Sequence, residues 1–207
     1  MVLHARVCGR VGSRPIKTSP GPRKRVPGLL IYYSMRALQF WKAVVEDKVD
    51  FLEDLIESLE RLGIRYCVIG GQAVNAYVDP LVSLDLDLVI AVDQISAVQS
   101  RFADRFKVEE FPHSLNISAP GSSLRVQIQK DPRYFPFVER SSPREVLGLV
   151  LPVARLEDVL DGKVWAATDK NGRPSKRRKD LLDIGRLIES HPRLRNRVPA
   201  DVLVQLG

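Results

Sequence analysis

The chain has 207 residues and a mass of 23.3 kDa, with 44% hydrophobic and 28% charged residues. This length and balance are typical of one compact domain, and they exclude fibrous, collagen-like and wholly disordered proteins. The formal net charge is +7, but residues 1–35 hold seven Lys and Arg residues and no Asp or Glu. The rest of the chain is therefore neutral, and the excess positive charge belongs to its first residues alone.

Residues 1–34 form a basic tail that contains four prolines and four glycines. This composition predicts disorder, because proline interrupts helices and central strands. Three interpretations stay open: an arm that binds RNA or DNA, an organelle transit peptide, or a stretch that is not translated because synthesis starts at Met35. The predicted helix that begins just after Met35 favours the third interpretation.

The two cysteines, Cys8 and Cys67, are too few for a disulfide framework. Cys67 lies in an apolar run, which predicts a buried free thiol, and we expect a reducing, cytoplasmic compartment. Every apolar stretch is much shorter than the roughly 20 residues that span a bilayer, so we expect no membrane partner.

Apolar residues at steps of three and four predict an amphipathic helix over 38–62, which ends at Gly63. Strands are predicted at 65–69, 84–91, 107–110, 116–118, 124–129 and 146–153, and further helices at 72–78, 93–106, 155–168 and 177–190. Asp93 is expected to cap the helix that follows it. The pattern predicts an α/β (α+β) core with its leading helix over 35–153 and a helical part of the same domain over 154–207.

Two carboxylates on one predicted strand carry the main chemical signal. Asp85 and Asp87 are two residues apart, so their side chains share one face of the strand, about 7 Å apart. Two such charges repel each other and lose hydration beside an apolar core. A divalent cation between them, Mg²⁺ or Mn²⁺, removes that cost and leaves coordination positions for water and substrate phosphate.

A glycine pair, Gly70-Gly71, stands where a predicted strand passes into a short helix. Glycine lets the backbone approach a ligand closely, and the first amides of a helix favour an anion such as phosphate. A phosphate-binding turn about 15 residues before a metal-binding carboxylate pair is suited to nucleotidyl transfer.

These motifs resemble the nucleotidyltransferase superfamily of DNA polymerase beta, and within it the AbiEii-type abortive-infection toxin nucleotidyltransferases. The resemblance covers roughly residues 64–190. It is carried by an ordered set of four motifs: Gly70-Gly71-Gln72-Ala73, Ser83-Leu84-Asp85-Leu86-Asp87-Leu88, Lys163, and Lys179-Asp180-Leu181-Leu182-Asp183.

The resemblance implies a small mixed β-sheet core flanked by helices. It also implies Mg²⁺-dependent transfer of a nucleoside monophosphate from an NTP to an RNA, such as a tRNA, or to a protein hydroxyl. The biological setting implied is a toxin–antitoxin or phage-defence system with a cognate antitoxin. Asp85 and Asp87 would bind the metal as catalytic residues. Gly70, Gly71 and Ser83 would contact the nucleotide.

Lys163 follows Leu156, Val159 and Leu160 by seven, four and three residues, which places it on the apolar face of its helix. A lysine there usually extends its stem along the edge of the core, but the resemblance favours contact with the triphosphate. Asp180 and Asp183 border the apolar stripe of the next helix. Three roles stay open for them: capping, pairing with Lys163 or Lys179, and completing the active site.

The superfamily expects a third carboxylate on a later strand, and the sequence departs from that pattern. On the predicted strand 124–129, Arg125, Gln127 and Gln129 share the polar face. A glutamine therefore stands where an acid is expected, and it cannot act as a base. Asp131, just past the strand, is a candidate substitute. The alternative function is a catalytically degenerate module of the same fold that binds nucleotide or RNA.

Five basic residues form a cluster between the last two predicted helices: Arg173, Lys176, Arg177, Arg178 and Lys179. Such a run is usually a solvated surface. Beside a nucleotide site it is also suited to phosphates of an RNA or of a second nucleotide. A third hypothesis is therefore a nucleic-acid-binding protein that acts through the basic tail and this cluster.

Overall fold

The computed structural model describes residues 49–122 and 124–206. The helices there are α1 Val49–Arg61, α2 Gly70–Asn75, α3 Ile95–Phe102, α4 Pro136–Glu139, α5 Leu156–Thr168, α6 Pro174–Ser190 and α7 Ala200–Leu206. The strands are β1 Tyr66–Ile69, β2 Asp85–Ile90, β3 Lys107–Phe111, β4 Ser114–Ser118, β5 Arg125–Gln129, β6 Ser142–Val146 and β7 Leu149–Val153. Short 3-10 turns cover Val92–Gln94, Pro132–Tyr134 and Pro192–Arg197.

All seven strands lie in one mixed sheet with the order β3-β4-β5-β2-β1-β7-β6. β2 pairs in parallel with β5, and β1 pairs in parallel with β7. The other four pairs are antiparallel. The predicted α/β fold with a mixed sheet and C-terminal helices is therefore confirmed.

The alternation of residues along the central strands β2 and β5 determines which face of the sheet carries their polar side chains. Leu86 and Leu88 of β2 and their partners Val126 and Ile128 of β5 are completely buried. Each such side chain stabilises the fold by about 1.5–3 kcal/mol relative to an exposed one. Because strand residues alternate between faces, the polar residues of both strands share the opposite face.

The helices are held by apolar stripes that join one core. Leu55 and Leu59 of α1 and Leu160 of α5 are completely buried, as are Ile184 and Leu187 of α6. None of the helices in the described ranges is long and apolar enough to cross a membrane. Cys67 is buried, as expected, and forms no disulfide within the described ranges. Burial raises the pKa of its thiol to about 12.

Two predicted elements differ in the structure. The strand predicted at 146–153 is a hairpin, in which β6 turns into β7 at Leu147 and Gly148 with φ of 55° and 86°. Two residues with positive φ match the twist of a two-residue hairpin, but leucine rarely adopts that conformation, so the turn has no sequence signal. Asp93 was wrongly expected to cap a helix. It lies in a 3-10 turn, and α3 begins at Ile95 without a side-chain cap.

The predicted leading helix is described from Val49 onward, and its first part from Leu38 lies outside the described residues. The basic tail and Cys8 lie outside them too. α6 begins at Pro174, three residues earlier than predicted, because proline at the first helical position fits the helix dihedral angles. A helix over 155–168 is confirmed as α5.

Candidate active site

Most of the residues that the sequence singles out line one cleft with a volume of about 550 Å³. The cleft is bordered by β2, β5, the start of α2 and one side of α5 and α6. The predicted residues in it are Gly70, Gly71, Ser83, Asp85, Asp87, Gln127, Gln129, Lys163 and Asp180. Asp131 and Asp183 are not among the residues that line it.

Gly70 and Asp87 fit together in a way that requires glycine. The antiparallel pairing of β1 with β2 sets Asp87 opposite Ile69, one residue before Gly70. Gly70 has φ of +66°, and a Cβ atom added to it would lie 2.7 Å from Asp87 Cγ. An alanine there would clash with the carboxylate and strain the backbone. Because Gly70 has no side chain, the Asp87 carboxylate can occupy the space where a Cβ atom would lie.

The two aspartates of β2 differ in environment. Burial raises the pKa of the Asp87 carboxyl, an effect that the positive charges of Lys163 and Lys176 oppose. Asp85 is 44% exposed, and its Oδ1 lies 3.1 Å from a guanidinium nitrogen of Arg125. Asp87 is therefore the desolvated member of the pair, and Asp85 is the member that faces water and an arginine.

Two carboxamides extend this carboxylate pair across the sheet. In the parallel register Gln127 of β5 lies beside Asp87, and Asn116 of β4 lies opposite Gln127. The Oδ1 atom of Asn116 is buried and has no hydrogen-bond partner in the part of the chain that the structure describes, and Asn116 lines the cleft. Sequence analysis missed Asn116, because only the strand register brings it next to Gln127.

The donor set fits a hard divalent cation. Two carboxylates on one strand face and the amide oxygen of Gln127 are oxygen ligands of the kind that Mg²⁺ prefers. Asp85, Asp87 and Gln127 all line the cleft. Within 49–122 and 124–206, no group of three His, Cys, Asp or Glu residues is arranged to hold a metal.

The structure does not bring Asp131 to the carboxylate pair. Its carboxylate accepts hydrogen bonds from the side chain of Arg133 at 2.6–3.1 Å and from the Arg133 backbone amide at 3.0 Å. These bonds lower the pKa of the Asp131 carboxyl. Gln129 accepts hydrogen bonds from the backbone amides of Lys130 and Asp131, so its amide oxygen is committed to its own turn.

Lys163 lies in the cleft, but carboxylates of α6 already bind its ammonium group. Lys163 Nζ is 2.8 Å from Asp180 Oδ1 and 2.7 Å from Asp183 Oδ2. The Asp183 carboxylate also binds Arg186 at 2.8 Å. Of the roles left open by the sequence, the structure shows the pairing of both aspartates with Lys163. The other carboxylate oxygen of Asp180, Oδ2, is buried without a hydrogen-bond partner.

Side chains of α2 hold the loop that carries Ser83. Gln72 is buried, and its side-chain amide donates a hydrogen bond of 2.9 Å to the Ser83 carbonyl. Asn75 exchanges two hydrogen bonds with the backbone of Leu81, at 2.7 and 3.0 Å. Arg186 donates to Asn75 Oδ1 at 3.2 Å, which joins this loop to α6. Gln72 belongs to the glycine motif of the sequence. Its hydrogen bond to Ser83 depends on the fold of the loop, so the sequence alone does not predict it.

The start of α6 forms the basic side of the cleft. Arg173, Ser175, Lys176 and Lys179 line it. Asp87 lies within the electrostatic range of Lys176 and Lys179. In the part of the chain that the structure describes, neither lysine has an ion-pair partner within 4.0 Å, whereas Lys163 has two.

A sequence-family model agrees with this geometry. The model described as the nucleotidyl transferase AbiEii toxin of a type IV toxin–antitoxin system matches residues 50–206. The chain belongs to the AbiEii family. It is thus a member of a family of transferases. No curated protein matches its sequence.

Several solved structures are similar to this AbiEii-family chain. ANT(2")-Ia in complex with adenylyl-2"-tobramycin has a TM-score of 0.55 and 11% identity, over 77% of this chain and 99% of that one. An antigenic nucleotidyltransferase-like protein from Paracoccidioides brasiliensis has 19% identity and a TM-score of 0.47, over 70% and 77%. The lincosamide adenylyltransferase LnuA, lincomycin-bound, has 15% identity and a TM-score of 0.46, over 66% and 93%.

Proposed function

We propose that this AbiEii-family protein is a Mg²⁺-dependent nucleotidyltransferase that moves a nucleoside monophosphate from an NTP to a hydroxyl group of an RNA or a protein. The observation that carries the proposal is the pair Asp85 and Asp87 on one face of β2, in a cleft that Gly70, Lys176 and Lys179 also line. We further propose that it acts in the cytoplasm as the toxin of a toxin–antitoxin pair, with a tRNA as one candidate acceptor.

Asp85 and Asp87 would hold the metal ion, with Gln127 beside them. When bound, the ion supplies positive charge that stabilises the phosphate oxygens during transfer. The desolvated carboxylate of Asp87 favours this role, because a cation offsets the cost of its burial. Manganese suits the same oxygen ligands.

The chain's own residues would position the triphosphate and the acceptor. Gly70 and Gly71 have no side chains, so the backbone of this turn can approach a phosphate. Ser83 Oγ makes only a 3.4 Å contact with the Asp85 carbonyl and stays available to donate to a phosphate oxygen. In-line transfer depends more on such positioning than on covalent chemistry.

A second candidate function is nucleotide binding without turnover. Gln127 lies beside Asp87 at the position where the superfamily expects an acid, and Asp131 is bound to Arg133. A glutamine binds a hydroxyl group but does not remove its proton. This candidate predicts Mg²⁺-dependent NTP binding that needs Asp85 and Asp87, with no transfer to any acceptor.

The test is a transfer assay with the full-length protein, each NTP labelled at the α-phosphate, Mg²⁺, and either total tRNA or a protein extract. We expect label on one acceptor with the wild type and none with Asp85→Asn/Asp87→Asn. Asp93→Asn is a matched control, since Asp93 is an exposed carboxylate that does not line the cleft. Equal transfer by the double variant would overturn the proposal. Binding without transfer would support the second candidate.

A further inference from the structure

The buried ion network between α5 and α6 has no net charge. It contains Lys163, Asp180, Asp183 and Arg186, and their side chains are between 4% and 14% exposed. The ammonium of Lys163 and the guanidinium of Arg186 balance the carboxylates of Asp180 and Asp183. Burial alone would lower the pKa of the Lys163 ammonium, but the two carboxylates raise it, so the lysine stays charged and paired.

This neutrality limits what Lys163 offers to a ligand. A triphosphate that approached its ammonium would compete with two carboxylates at 2.7–2.8 Å, and it would leave Asp180 without its ion-pair partner and Asp183 with Arg186 alone. Removing one partner from a buried ion pair is costly. The positive charge that a triphosphate requires must therefore come from other side chains of the cleft.

Lys176 and Lys179 of α6 meet this requirement. They are three residues apart, so they lie on the same side of the helix. Both are exposed, both line the cleft, and neither has an ion-pair partner among the described residues. They line the same cleft as Asp85 and Asp87, and their positive charges oppose the rise in the pKa of the Asp87 carboxyl.

The first turn of α6 adds to this positive side. Arg173 is the N-cap residue, makes no side-chain cap, and lines the cleft with Ser175. α6 has 17 residues, so the free amides of its first turn also favour an anion. Arg178, on the same helix, is equally exposed but does not line the cleft.

We propose that Lys176 and Lys179 are the cations that bind the triphosphate in this cleft, and that Lys163 instead belongs to the neutral ion network between α5 and α6. α6 carries the two lysines into the cleft that Asp87 and the turn at Gly70 also line. This inference rests on the proposed function, since it assumes that an NTP occupies the cleft.

The test compares dissociation constants of full-length variants for a nonhydrolysable ATP analogue and for adenosine, both with Mg²⁺. Lys176→Ala/Lys179→Ala is expected to weaken binding of the analogue by roughly tenfold or more per lysine, because charged hydrogen bonds to phosphate are lost. Its affinity for adenosine should not change. Arg178→Ala, the matched control, should bind both ligands like the wild type, and the three proteins should have the same circular dichroism spectrum.

A second variant tests the role of Lys163. Lys163→Met/Asp180→Asn removes one charge of each sign, so the network stays neutral and leaves the pair of Asp183 with Arg186. We expect it to bind the analogue within about threefold of the wild type. An affinity loss specific to the triphosphate, as large as that of the α6 double variant, would assign the cation to Lys163 and overturn the inference.

The outcomes also separate this inference from the proposed function. Wild-type protein that bound none of the four NTPs and transferred no label would refute the proposed function and the inference with it. Wild-type protein that bound NTP, together with a Lys176→Ala/Lys179→Ala variant of equal affinity, would refute the inference alone.

Discussion

Two charged regions border the same cleft, and they differ in whether their charges are balanced by neighbouring charges of opposite sign. Between α5 and α6, every ionised group has a partner of opposite sign at 2.7–2.8 Å, and the side chains are almost fully buried. Elsewhere in the cleft, Asp87 is desolvated, and Lys176 and Lys179 have no ion-pair partner among the described residues. Balanced charge holds the helices together, whereas unbalanced charge is available to a ligand and a metal.

The largest effect that tests this comparison is expected at Asp87, in the region of unbalanced charge. Asp87→Asn should lower the transfer rate by about 10³-fold or more, roughly 4 kcal/mol of transition-state stabilisation, because the metal loses a charged ligand. The same change should raise the melting temperature of the metal-free protein. Transfer rates and melting temperatures measured on the same samples check both the loss of activity and the gain of stability.

The stability gain of Asp87→Asn should depend on pH. The folded state raises the pKa of this carboxyl, so its ionisation costs stability at neutral pH. The gain should be full above the raised pKa and vanish below the ordinary pKa of an aspartate. A variant that was less stable than the wild type at neutral pH without metal would contradict this assignment.

The next largest effect is expected on stability, in the balanced ion network between α5 and α6. Lys163→Met should destabilise the protein by about 3 kcal/mol, because it leaves Asp180 and Asp183 with one cation between two buried carboxylates. Denaturant titrations of the variant and of Lys176→Met measure the difference. Lys176 is exposed and has no ion pair with another described residue, so its replacement should change stability by less than about 0.5 kcal/mol. Equal effects would remove the distinction between the two regions.

Two glycines with the same backbone conformation sharpen the comparison further. Gly63 and Gly70 have φ of +63° and +66°, but only Gly70 has a neighbour, Asp87, where a Cβ would lie. Gly63→Ala should cost about 1 kcal/mol of stability from the backbone alone. Gly70→Ala should cost about 1–3 kcal/mol more and should also weaken Mn²⁺ binding, since it displaces the carboxylate. Unchanged Mn²⁺ affinity would contradict the fit between Gly70 and Asp87.

The smallest effect concerns Arg125. Its ion pair with Asp85 is exposed, with side chains 73% and 44% accessible, so Arg125→Ala should change stability by less than about 1 kcal/mol. Because the guanidinium competes with a cation for Asp85, the variant should bind Mn²⁺ roughly threefold more tightly. Weaker Mn²⁺ binding, measured by electron paramagnetic resonance, would show that Arg125 supports the metal position instead.

The difference between the two regions also explains what the sequence predicts. Alternation along β2 places Asp85 and Asp87 on one face, and the glycine pair marks the turn, because both signals are local in the chain. The partners of Lys163 lie 17 and 20 residues away on another helix. The sequence therefore suggests that pairing only as one of three roles.

Other parts of the site depend on tertiary structure or on unusual local geometry. Asn116 becomes relevant only through its register with Gln127. The hairpin of β6 and β7 turns at Leu147 with positive φ, against the preference of leucine. Asp131 is close to β5 in the sequence, but the side chain of Arg133 binds its carboxylate.

The most direct test of the central claim is to follow the α- and γ-phosphates of one NTP separately. With the full-length protein, Mg²⁺ and its acceptor, α-labelled NTP should transfer its label, and γ-labelled NTP should release its label as pyrophosphate. Asp87→Asn should abolish both. Label transferred from the γ-position, or α-label transferred equally by Asp87→Asn, would contradict nucleotidyl transfer at this carboxylate pair.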